Sequence, residues 1–272
     1  MLKQFLKRFL PMPYTQTEIR LEEIRSEIRA ANAMIPRLPE DAPFNLSDSA
    51  DLWKRMSFSE FGQDRIMLNC VWTYTNRNMW EIKYLDIGAN HPIDNSNTYL
   101  FYIAGARGVL VEPNEKFWGP IAKIRPDDTL LQCGAGYDER TELKYYDFGD
   151  YGNGRNTFDS STAEQSVKVV GQTKRIVTKP IMHINAIVEK YFPGSCPDIL
   201  CIDTEGFDKD LLMAFDFSRF RPFIIVVEEK GNEEIAQFMK NVGYIKFGSN
   251  MGDTFYLNPE RIEKNRDWLG LD

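Results

Sequence analysis

Histidine is nearly absent from this 272-residue chain, with two residues, and its four cysteines (Cys70, Cys133, Cys196 and Cys201) include no CxxC pair. The close ligand spacing of a zinc site is therefore missing. The thiols read instead as reduced, mostly buried residues of a cytoplasmic protein. Long apolar runs are missing too. The densest, Phe223 to Val227, has five residues, far short of the ~18 a membrane span needs. Lys3, Lys7 and Arg8 interrupt the apolar residues of Met1 to Leu10, so no secretory h-region is present. Positive charge is in deficit: 33 Lys and Arg face 40 Asp and Glu, for a net charge of −7. That balance argues against nucleic acid as a partner. What remains, 43% hydrophobic and 27% charged residues, is an ordinary globular composition, long enough for one large domain with an appendage.

The appendage is residues 1–55, and the domain residues 56–272. Leu2, Phe5, Leu6, Phe9 and Leu10 make a helical stripe opposite basic residues, which suits an anionic membrane surface or packing on the protein itself. Leu21, Ile24, Ile28, Ala31 and Ile35 continue with heptad-like spacing, which suits self-association or docking. Peripheral membrane contact or self-association is thus expected of residues 1–35. Pro36, Pro39 and Pro43 then make an extended linker.

From Phe58 onward, short apolar strands alternate with helices. Strands are expected at 83–87, 109–112, 129–133, 199–203, 223–228, 244–247 and 254–257. Helices are expected at 98–104, 116–124, 184–191, 209–215 and 233–241. This is an α/β pattern with a doubly wound, mostly parallel sheet of seven strands, its last strand antiparallel because no crossover helix precedes it. Residues 147–172 break the rhythm with four glycines and little apolar content, and read as an irregular, mobile cover over the site.

Ligands of such a sheet sit at the carboxyl ends of its strands. The run YLDIGAN brings Asp86 to the first of those ends, with Gly88 in the turn; Asn90, His91 and Pro92 follow instead of the glycines of a pyrophosphate loop. An acidic strand end suits a cation, such as an amino-acid ammonium, better than a phosphate. The second strand ends VLVEPN, with Glu112 placed 24 residues after Gly88, where a carboxylate can accept from ribose hydroxyls. An amino acid joined to a nucleoside without phosphates is S-adenosylmethionine. The run ILCIDTEG delivers Asp203 and Glu205 to the same rim, and FIIVVEE ends in Glu228 and Glu229. Like charges gathered there are costly unless a base, a cation or a metal uses them.

The runs FSEFGQD (58–64), LDIGAN (85–90), SNTYLF (96–101), VLVEPN (109–114), CIDTEG (201–206) and RPFIIVVE (221–228), taken in order, resemble the motifs of FkbM-type methyltransferases. The resemblance covers residues 57–258 and implies a Rossmann-like O-methyltransferase that uses S-adenosylmethionine and acts on sugar hydroxyls of polysaccharides, lipid-linked glycans or glycosylated natural products. It places Asp86, Gly88 and Asn90 around the methionine part, with Ser96 and Asn97 beside them. Glu112, Pro113 and Asn114 would flank the ribose, Cys133, Gly134 and Ala135 the adenine, and Asp203 the same pocket. His91, Pro92 and Ile93 depart from the family pattern in the first loop.

A sugar hydroxyl needs its proton removed. Asp203, Glu205, His183 and Glu228 are the candidate groups, although a lone histidine such as His183 is more often a helix cap or a surface residue. Asp203, Glu228 and Glu229 would also make an oxygen set for a magnesium ion. A non-catalytic adaptor working through the N-terminal helix, and more distantly a nicotinamide oxidoreductase, are the alternative readings.

Overall fold

A computed structural model describes residues 57–149, 153–229 and 231–270. The expectations for residues 1–55 lie outside the described residues. The main sheet has seven strands in the order β3-β2-β1-β7-β8-β10-β9. They are β1 (Lys83–Ile87), β2 (Arg107–Val111), β3 (Thr129–Leu131), β7 (Ile199–Ile202), β8 (Ile224–Glu228), β9 (Ile245–Ser249) and β10 (Asp253–Leu257). β10 lies antiparallel between β8 and β9; the other neighbouring pairs are parallel. The expected Rossmann-like α/β sheet is present, and the strand order changes direction between β1 and β7.

Side-chain alternation explains the two layers. Leu85, Ile87, Val109, Val111, Leu200 and Ile202 face one way. They pack on α5 (Ile184–Tyr191), α6 (Asp208–Ala214) and α7 (Glu233–Asn241). Tyr84, Leu110, Ile199, Cys201, Ile224 and Val226 face the other way, onto α1 (Gln63–Tyr74), α2 (Tyr99–Ile103) and α3 (Glu115–Ile124). Each such aliphatic side chain contributes roughly 1.5–3 kcal/mol on burial, so a central strand buried on both faces holds its register firmly.

The stretch between β3 and α5 departs from expectation. It carries a second sheet, β4 (Gly134–Gly136), β6 (Arg175–His183) and β5 (Glu142–Asp147), in the order β4-β6-β5. It also carries α4 (Ser160–Val170), which Asp159 caps by accepting from the Thr162 N–H at 2.7 Å. Residues 147–172 are therefore not wholly irregular. The charged, alternating faces of β5 and β6 pair with each other rather than with the main sheet, so they lack the continuous apolar run of a buried strand. Among the described residues, no helix is long and apolar enough to cross a membrane.

Candidate active site

A cleft opens at the carboxyl ends of β1, β2, β7 and β8, where β10 begins. Its floor is the close approach of two backbone turns. Gly88 has φ +85°, and a Cβ there would lie 1.7 Å from the Asp203 carbonyl oxygen. The turn needs glycine because another strand end presses on it, as well as because it lines the cleft. Asn90 and Asn95 also hold left-handed backbone, which asparagine tolerates.

Glu112 joins the first two turns. Its carboxylate accepts from the Asn90 N–H at 2.7 Å and the Asn114 N–H at 2.6 Å. Burial pushes its pKa up to about 7, against the pull of those N–H groups and of Lys179. A second lone pair on each oxygen remains available to a ligand hydroxyl.

Asp203, Glu205 and Glu228 all line the cleft, joined by Asp253, which pairs in register with Glu228 across β8 and β10. Burial, and then the charges of Asp208, Glu205, Glu228 and Asp253, hold Asp203 well above the ordinary carboxylate range. Glu205 sits at φ +55°, strained for a non-glycine residue and frequent at functional loops. Its carbonyl accepts from Thr157 Oγ1 at 2.7 Å, so the excursion carrying α4 is tied to the β7 turn. Thr157→Val keeps the shape but removes that donor. A loss of about 0.5–1.5 kcal/mol in unfolding free energy is expected, together with slower turnover. Unchanged denaturation and rate would show that the excursion does not support the turn.

Several expected residues lie elsewhere. The Asp86 carboxylate accepts from Thr98 Oγ1 at 2.5 Å, behind the cleft. Asp86 shares strand parity with Tyr84, so it faces α2 and α3, and burial raises its pKa. Ser96 accepts from the Tyr99 N–H and from Arg125, and Asn114 caps α3. Cys133 packs on the core beside the sheet, outside the cleft lining that takes in Gly134 and Ala135. His183 caps α5 through Nδ1 and does not line the cleft. Glu229 turns to the opposite side of the strand from Glu228 and accepts from the Tyr256 hydroxyl at 2.9 Å. Gly88, Asn90, Asn97, Glu112, Pro113, Gly134, Ala135, Asp203, Glu205 and Glu228 are the expected residues that do come together.

Asp208 takes the place expected of Glu229. Oxygens of Asp203, Asp208 and Glu228 lie within 4.8 Å of one another. Both Asp208 oxygens already accept N–H groups, from Thr204 and Gly206. Burial nevertheless raises its pKa to about 6. Each of Asp203, Asp208 and Glu228 still offers an oxygen there, and a magnesium ion takes one or two carboxylates from a protein.

Sequence reasoning missed the aromatic walls. Phe117 and Phe207 line the cleft from the main domain, and Tyr145 and Phe158 from the excursion, beside Asn156. Phe61, 45% exposed, stands at the cleft from the turn before α1. Gln63 ties that turn to Asp253, donating at 2.5 Å. The run FSEFGQD was the available signal, although it carried no role by itself.

Acidic strand ends and a glycine turn without a phosphate cradle, on this sheet order, are the features of a methyltransferase. The family model for the methyltransferase FkbM domain matches residues 86–246, more than half of the chain, and the chain belongs to that family. No curated protein matches it.

Proposed function

We propose that this methyltransferase uses S-adenosylmethionine and methylates a hydroxyl of a sugar. The observation that carries the reading is the charge of the cleft. Glu60, Glu112, Asp203, Glu205, Glu228 and Asp253 line it, with no lysine, arginine or histidine among the lining residues. Such a wall attracts a cation and repels phosphates, which disfavours a nicotinamide dinucleotide. Bound S-adenosylmethionine would supply an electrophilic methyl on a positively charged sulfur.

The chain's own groups fit that task. Glu112 is placed to accept from ribose hydroxyls, and Phe117, Phe158 and Tyr145 offer apolar walls to a purine. Asp203 is placed to take the acceptor proton, its raised affinity for protons making it a stronger base than an ordinary aspartate. Phe61 presents a ring on which the C–H face of a sugar can rest. The Asp203 and Glu228 pair supports a magnesium-assisted variant of the same reaction, distinguished by adding a chelator.

The direct test is mass spectrometry of candidate glycans incubated with labelled S-adenosylmethionine, with and without chelator. Cofactor binding without transfer to any glycan would favour the adaptor reading; no binding at all would end both. A pH signature accompanies it. Glu112 must lose its proton to present full charge to a cation, so affinity is expected to fall by up to roughly tenfold per pH unit below 7. Calorimetry in two buffers of different ionisation enthalpy should show protons released on binding at pH 6. For the ligand-free protein, the raised pKa means that folding retains a proton which the unfolded chain loses above its ordinary 4.5. This group's stabilising contribution is thus present below pH 4.5 and lost as pH rises through about 7. Affinity independent of pH would remove Glu112 from the binding site.

A further inference from the structure

We propose that the opposite edge of the sheet carries a binding site for a phosphate group. A groove of about 920 Å³ opens there, below Lys83 at the start of β1 and Asp198 just before β7, and near Arg221, which precedes β8. β10 runs antiparallel, so the chain leaving it returns to this edge and brings Arg261. Arg77 and Arg219 complete five cations; against them stand Asp198 and Glu189 in the lining and Asp216 and Glu260, which pair with Arg219 and Arg221 from beside it, so the groove keeps one positive charge in excess in a chain of net charge −7. The cleft at the other edge has six acids and no cation. The molecule is polarised along its strands.

The cations are held in place. Asp198, 3% exposed, pairs with both Arg77 and Arg261 and accepts from the Lys83 backbone N–H at 2.8 Å. Arg261 also donates to the Arg221 carbonyl, and Arg221 donates to the Val242 carbonyl while lying over the Tyr244 ring at 4.9 Å. One buried carboxylate therefore orients two guanidinium groups, while Arg219 pairs with Glu189 and Asp216, and Arg221 with Glu260, at the groove's margin. The Lys83 ammonium makes no ion pair among the described residues. Fixed guanidinium forks match the oxygens of a phosphate and lose little freedom on binding it. A free phosphate compound and a lipid headgroup share this chemistry.

The test uses the full chain with two probes. Inorganic pyrophosphate is titrated by calorimetry at low and high salt, and phosphatidylcholine vesicles with and without phosphatidic acid are tested by sedimentation. The variant Lys83→Glu with Arg219→Glu spares the Asp198 pairing; Lys123→Glu with Lys168→Glu, on α3 and α4, makes the same change in net charge elsewhere. Binding of at least one probe is expected, salt-sensitive and weakened roughly tenfold or more in the groove variant but not in the control. Pyrophosphate binding would mark a soluble ligand as sufficient, and binding confined to phosphatidic acid vesicles would mark a headgroup. Equal weakening in both variants, or binding of neither probe by the unsubstituted chain, would overturn the proposal.

Discussion

Asp203→Asn is expected to slow methyl transfer by about 10²–10⁴-fold, the usual worth of a general base. Asparagine fills the same space but cannot hold the acceptor's proton. The same change should raise the melting temperature of the ligand-free protein at neutral pH. The unfolded chain ionises Asp203 freely there, whereas in the fold burial and the charges of Asp208, Glu205, Glu228 and Asp253 oppose the ionised form, so the carboxyl group opposes folding and the amide removes that cost. Opposite signs in rate and stability separate a reacting group from a structural one, whose loss would lower both. Cofactor affinity should change far less than turnover, because five other carboxylates still line the cleft. A variant of full activity would remove Asp203 from the chemistry and leave Glu205, held at φ +55° on the same turn, as the next candidate.

The seven-stranded sheet was legible because its central strands are buried on both faces and read as continuous apolar runs. β1 begins and ends where the run 83–87 does, and β7 falls one residue short of the expected 199–203. The second sheet was not legible. β5 and β6 alternate half-buried with charged positions, and β4 is Gly-Ala-Gly, with no side chain to mark a strand. In the cleft, strand ends pointed to Glu112, Asp203, Glu205 and Glu228, but not to Glu60 or Asp253, nor to which way each strand-end acid would turn. Asp86 and Glu112 look alike in sequence, each an acid at a strand terminus. Asp86 is still within β1, where parity sends it to the α2 and α3 side; Glu112 lies one residue beyond β2, free of the pleat, and turns inward. Glu228 and Glu229 part for the same reason of alternation. Asp253 could have been found by pairing the β10 hairpin against β8 and reading the partner of Glu228.

The position of Asp86 leads to the other large effect. Arg125 is 1% exposed and donates to Asp128 at 2.8 Å, to Tyr84 at 3.0 Å and to Thr98 at 2.9 Å; Thr98 in turn donates to Asp86. Burial alone would lower the Arg125 pKa, but Tyr84, Asp128 and Asp86 hold it above the ordinary value. One cation thus compensates two enclosed carboxylates, joining β1 to the turn before α2 and to the end of α3. Arg125→Leu leaves both acids buried without a counter-charge and should cost about 3–5 kcal/mol of unfolding free energy, measured as a lowered urea midpoint at constant slope. Arg125→Lys restores the charge but not the fan of donors, and should fall between the two. The cleft should register the change as well, since Asn95 and Asn97 line it from the turn that Ser96 and Thr98 anchor. Cofactor affinity measured well below the variant's melting temperature is therefore expected to drop, beyond what its unfolded fraction explains. Unaltered affinity there would confine Arg125 to holding the fold, and an unshifted urea midpoint would show that the network is not what holds Asp86 in place.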